Sequence, residues 1–332
     1  FERPDIALAW GIFLGGLLQF LFQIPFMKKA GLLVKPQWAW NDEGLKKVRT
    51  LMLPALFGVS VTQINLLLNQ VIASFLVTGS ITWLYYSDRL IEFPLGIFGI
   101  AISTVVLPTL SKIAKQKALN ETARQAQFQT TMDWGVRMVL LLGIPAMIGI
   151  ATLAQPMIMT LFMRGKFGLS DVIASSHSLW IMCLGLNSYM LISILANGFY
   201  ANQNTKTPVK IGLIATACNM CFGLLAIPFG YLGLAMASAL SAAVNASLLY
   251  RQLSKQGIYH ISRKTIFFIL KVAIAALVMG GLVNYFSPHL EEWFEMSTLM
   301  KAYWLGWLIV LAVISYFAML FILGIRKWDF RS

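Results

Sequence analysis

Residues 83–112 read WLYYSDRLIEFPLGIFGIAISTVVLPTLSK. Apart from Asp88, Arg89 and Glu92 near its start, the run is apolar and long enough to cross a bilayer as one helix. Each ionisable group in such a segment costs roughly 2.5 to 3.5 kcal/mol on insertion scales, so it faces a water-filled cavity or a partner of opposite sign. On a helix Asp88 and Glu92 share a face at i and i+4, and Arg89 lies three residues before Glu92 and next to Asp88, so one cation is expected to lean on two carboxylates. Measured from Ser80–Trp83, Arg89 lies about 9 to 13 Å into a core about 30 Å thick, too deep for a headgroup anchor. Pro94 removes a backbone donor one turn later and predicts a kink. Gly96, Gly99 and Ser103 form a small-residue face open to another helix. The charges read either as a ligand site facing a cavity or as a self-neutralising knot between helices. The cavity reading is preferred because a knot needs fewer charges.

Working outward, the same apolar character fills the chain. Of 332 residues 58% are hydrophobic and 12% charged, and the mean hydropathy is +0.73, which excludes an ordinary soluble domain and indicates an all-α polytopic membrane protein. The net charge of +13 sits mostly between apolar runs, so it points to anionic lipid headgroups and not to nucleic acid. Cys183, Cys218 and Cys221 all fall within apolar segments and imply no disulfide framework. The Cys218–Cys221 CxxC has no nearby His or second pair, so neither a metal nor a cofactor is expected.

Spans are predicted at 7–27, 51–77, 83–109, 131–155, 173–199, 209–229, 231–250, 266–286 and 301–323. One set of alternate connections carries 19 Lys and Arg and the other 4, which predicts that the C-terminus is cytoplasmic and that the charged helix runs inward. Residues 36–49, with Trp38, Trp40, Lys46, Lys47 and Arg49, suit an interfacial stretch, and 113–130 a second surface helix. MIMTLFMRGKFG at 157–168 suits a short amphipathic helix on the outer side, and Glu291, Glu292 and Glu295 a solvated connector. Inside the other spans Asn65, Asn69 and Asn219 are candidate cavity or cation-facing residues, with bonding between helices as the plainer reading. His177, His260 and His289 are scattered, and no nucleophile or phosphate-cradling motif accompanies them, so the chain does not read as an enzyme. It opens at Phe1 without a leader, which reads as a piece of something longer.

The run YYSDRLIEFPLGIFGIAISTVVLPTLSK, followed in order by LFMRGKF, GFYANQNTKTPVKI and NASLLY, resembles the MurJ (MviN) family of lipid II flippases. The resemblance implies a multidrug/oligosaccharidyl-lipid/polysaccharide exporter-type helical bundle with an incomplete N-lobe, holding nine of fourteen helices and completed by N-terminal helices in the same or another chain. It implies that residues 1–50 are the last N-lobe helix and a cytoplasmic linker, 51–250 a six-helix C-lobe, and 251–332 a final pair forming a groove for a polyprenyl tail. The implied cargo is lipid II, carried across the bacterial inner membrane, with Arg89 as the cation that meets its pyrophosphate and Asp88 and Glu92 holding that cation. Some relatives bind sodium through acids on helices that here carry Asn69, Asn219 and Gly223, so no such site is expected and the membrane potential is the expected driving force. Two alternatives stay open: an exporter of another lipid-linked saccharide or a drug, and a transport-inactive scaffold for cell-wall synthesis.

Overall fold

The computed structural model describes residues 4–32, 42–43, 45–46, 63, 65–116 and 120–325. Among them no residue is in a strand, and eight helices are long and apolar enough to cross a membrane. Most of the predicted span 51–77, and most of the interfacial stretch 36–49, lie outside the described residues. The chain divides into two units, 1–57 and 58–332. In the first, α1 (Pro4–Lys29) is a single helix with Pro25 inside its last turns.

The second unit begins with helical residues 65–74 (α2). It continues through α3 (Ser80–Pro94), a π-helical turn (Leu95–Ile100) and α4 (Ala101–Lys115), which together make one long span. Then come α5 (Glu121–Thr152), the short α6 (Ala154–Phe162), α7 (Leu169–Tyr200), α8 (Lys206–Leu225) and α9 (Gly230–Lys255). The last elements are α10 (Arg263–Phe286), the short α11 (Leu290–Glu295) and α12 (Thr298–Ile322). Helix α7 lies at the centre and packs on α3, α4, α5, α6 and α9, while α10 packs on α5 and α12.

Small residues let these helices approach closely. A Cβ on Gly185 would stand 2.9 Å from the Ala239 backbone, and one on Gly280 would stand 2.6 Å from Ile148 Cγ2. With lipid outside and no hydrophobic drive between helices, such close packing supplies much of the cohesion. The contacts also fix direction. Trp83 meets Asp171, Ser87 meets Ser175 and Ser103 meets Asn197, so the α3–α4 span and α7 run parallel. Arg137 bonds to Thr265 and Gly280 abuts Ile148, so α5 and α10 also run parallel, as alternate crossings require.

Two prolines shape the bundle. The kink predicted at Pro94 takes the form of the π turn that begins at Leu95, a widened turn suited to the donor that proline lacks. Pro145 inside α5 has no N–H for the carbonyl of Leu141. That carbonyl accepts instead from Tyr316 Oη on α12, at 2.6 Å in a buried contact.

Three local expectations are corrected. Residues 121–130 are not a separate surface helix but the first turns of α5, because Gln125 and Gln129 bond to the carbonyls of Gly257 and His260 and extend the helix past the apolar run. The stretch 157–168 is helical only to Phe162, and Ile158 and Met159 are buried among α7 and α12 instead of lying on a surface. Gly165, with φ +61°, turns the chain after it. The acidic connector contains α11, which buries Trp293 against α6 while Glu291, Glu292 and Glu295 stay exposed.

Candidate functional site

Helix α3 is held along its whole length by α7. Its first turn starts from Gly79, whose φ of +104° favours glycine and whose missing side chain leaves room for the Trp83 indole. The indole Nε1 donates to Asp171 Oδ1 at 2.8 Å, and the other oxygen of Asp171 accepts from the Gly168 N–H at 2.9 Å, capping α7. One turn on, Ser87 donates to the Ser175 carbonyl at 2.8 Å. Beyond the π turn, Gly99 lies against Met190 and Asn197 donates to Ser103 Oγ at 2.7 Å. Gly96, grouped with them from the sequence, faces open space, because the extra residue of the π turn takes it off that stripe.

With one face of α3 fixed this way, the three charges divide. Asp88 and Glu92 line a cavity of about 540 Å³ together with Asn65 and Asn69 of α2 and Asn219 of α8. The i, i+4 spacing therefore did place both carboxylates on one wall, and the structure brings all three amides to the same space. Tyr189, Thr216, Ser238 and Asn245 add polar groups that the sequence reading passed over. Asn245 stands in the NASLLY run, and Tyr189 directly follows Asn187 and Ser188 in an otherwise apolar span, where that polar cluster was the available signal. Tyr189 Oη donates to the Ser238 carbonyl at 3.1 Å. The Oδ1 atoms of Asn65 and Asn219 are buried with no hydrogen-bond partner among the described residues.

Arg89 does not line that cavity. It lies 100° further round the helix, on an open face, with its side chain 52% exposed. The expected bond to two carboxylates is corrected to one. Arg89 Nη1 lies 2.6 Å from Glu92 Oε2, across a single i, i+3 turn, while Asp88 points into the cavity, half-buried. The second neighbour of the guanidinium is aromatic: its Cζ sits 4.8 Å from the ring centroid of Tyr85. An exposed planar cation, paired through Nη1 and lying over one aromatic ring, has donors left for a phosphate or carboxylate ligand.

A family profile described as Lipid II flippase MurJ matches residues 1–304. The chain belongs to this family. A Haemophilus influenzae protein described as a probable lipid II flippase MurJ is 65% identical to it, over 98% of this chain and 64% of that protein. A Vibrio cholerae protein of the same description is 52% identical, over 100% of this chain and 62% of that protein. A Burkholderia cenocepacia protein described as lipid II flippase MurJ is 36% identical, over 99% and 64%. The chain thus spans 62% to 64% of the length of these MurJ relatives. A solved structure described as lipid II flippase MurJ in an inward closed conformation matches with a TM-score of 0.70 at 23% identity, covering 90% of this chain and 59% of that one. The exporter-type helical bundle expected from the sequence is therefore the fold observed, in a multi-pass membrane protein of the MurJ family.

Proposed function

We propose that the activity served by these residues is the movement of lipid II across the bacterial inner membrane by alternating access, with Arg89 as the cation that meets the pyrophosphate. The observation that carries this reading is the position of Arg89. Its guanidinium is exposed on an open helix face and bound to a carboxylate that an anionic ligand can replace. Glu92 then holds the cation between turnovers. Asp88 and the amides of Asn65, Asn69 and Asn219 form the polar wall beside it.

Transport is proposed for a protein of the relatives' length, of which residues 1–50, 51–250 and 251–332 supply an N-lobe helix with its linker, the C-lobe bundle and a final helix pair. The apolar outer faces of α10 and α12, with Phe267, Leu277, Ile314 and Phe321 exposed, suit a polyprenyl tail. The excess of Lys and Arg in alternate connections favours a cytoplasmic C-terminus. Membrane potential suits the drive, since a charge crossing 100 mV gains or loses about 2.3 kcal/mol.

The test is lipid II externalisation in cells that depend on this protein. Arg89→Ala should abolish it, and Arg89→Lys should support it poorly, because a point charge replaces a planar fork. Normal externalisation by Arg89→Ala would remove Arg89 from the site.

A further inference from the structure

We propose that Tyr85 is the positioning residue that keeps the Arg89 guanidinium in place while Glu92 is exchanged for an anionic ligand; this rests on the reading of Arg89 given above. A carboxylate and a diphosphate compete for the same thing, the N–H edge of the guanidinium. Glu92, at 2.6 Å from Nη1, occupies that edge and has to leave it when a ligand binds. A long, exposed side chain released from its partner would lose its placement at that moment. Tyr85 holds Arg89 differently. Arg89 Cζ lies over the tyrosine ring, 4.8 Å from the centroid, and this contact does not require the Nη1 edge that Glu92 occupies.

The ring is itself braced. Tyr85 packs edge-on to Tyr86 at 5.7 Å, Tyr86 stacks on Phe162 at 4.3 Å, and Phe167 meets Tyr86 edge-on at 5.2 Å. An aromatic chain thus runs from α6 and the loop after it to Arg89. In it the ring of Tyr85 is the group that meets the cation.

The experiment titrates undecaprenyl diphosphate onto the purified full-length native protein in lipid nanodiscs. Tyr85→Phe and Tyr85→Trp should bind as the parent does. Tyr85→Leu should bind roughly two- to fivefold more weakly, the size of an exposed cation–π contact. In an Arg89→Ala background the Leu substitution should have no further effect, whereas a merely structural role for Tyr85 would weaken binding equally in both backgrounds. The inference is overturned if Phe binds as weakly as Leu, if Leu costs as much without Arg89 as with it, or if Leu binds like the parent while Arg89→Ala does not. If Arg89→Ala itself binds like the parent, the assignment of Arg89 falls and takes this inference with it.

Discussion

Replacing Tyr259 by Phe removes one oxygen from a wholly buried side chain in the connection between α9 and α10. That hydroxyl donates to Asp133 Oδ1 at 2.7 Å. The carboxylate, 8% exposed, has Arg137 Nη2 at 3.7 Å as a further partner, too far to replace the lost bond without movement. Arg137 is also occupied elsewhere, with Nε donating to Thr265 Oγ1 at 2.8 Å. A hydrogen bond to a charged acceptor contributes about 1.5 to 3 kcal/mol, so Tyr259→Phe should destabilise by about 2 kcal/mol. In an Asp133→Asn background the acceptor is neutral and the same change should cost about half as much, a coupling of about 1 kcal/mol. Reversible equilibrium unfolding of the purified protein in micelles, followed by tryptophan fluorescence, measures all four corners.

The same experiment has a pH axis. Burial and the bond to Asp133 push the Tyr259 phenol far above its ordinary value of 10.0. The unfolded phenol ionises near that value and the folded one does not, so this contribution is fully present below it and is lost as pH rises beyond it, by up to about 1.4 kcal/mol per unit. The gap between parent and Phe variant should therefore narrow as pH rises from about 9 to about 11. A cycle that is additive within about 0.5 kcal/mol, or a gap that does not change with pH, would refute the reasoning.

Two further outcomes follow from packing. Tyr316→Phe should destabilise by about 1 to 2 kcal/mol by leaving the Leu141 carbonyl without a donor, and Pro145→Ala, which restores the helical N–H, should remove most of that cost in the double variant; equal costs in both backgrounds would break the link. The adjacent glycines of α10 should behave oppositely. Gly280→Ala forces a methyl to within 2.6 Å of Ile148 and should cost about 1 to 3 kcal/mol. Gly281→Ala enters open space and should be neutral or stabilising by up to about 1 kcal/mol, with thermal midpoints of both variants deciding.

What the sequence made legible is what depends on composition along one segment. Hydropathy runs placed the described spans to within a few residues at most ends, because lipid demands unbroken apolar helices whatever they pack against. The clustering of Asp88 with Glu92 followed from spacing alone. The choice of Glu92 over Asp88 as the partner of Arg89 was also available in the spacing, since residues three apart meet on a helix and adjacent ones do not, whereas the face turned to the cavity depends on α7 through Ser87 and Trp83. Asn197 and Tyr259 were invisible for a related reason: their partners, Ser103 and Asp133, lie far away in the chain. The buried Trp293 was masked by three neighbouring glutamates whose charge dominates any window average.

The bond between Tyr316 and the Leu141 carbonyl bears on how the protein is made. A chain inserted from its amino-terminal end delivers α5 to the bilayer well before α12, and in that interval the carbonyl opposite Pro145 has no protein donor in hydrocarbon. The hydrogen bonding of α5 opposite Pro145 is thus completed only when the final helix arrives. A nascent chain halted before Tyr316 should hold α5 in a looser geometry than the finished protein.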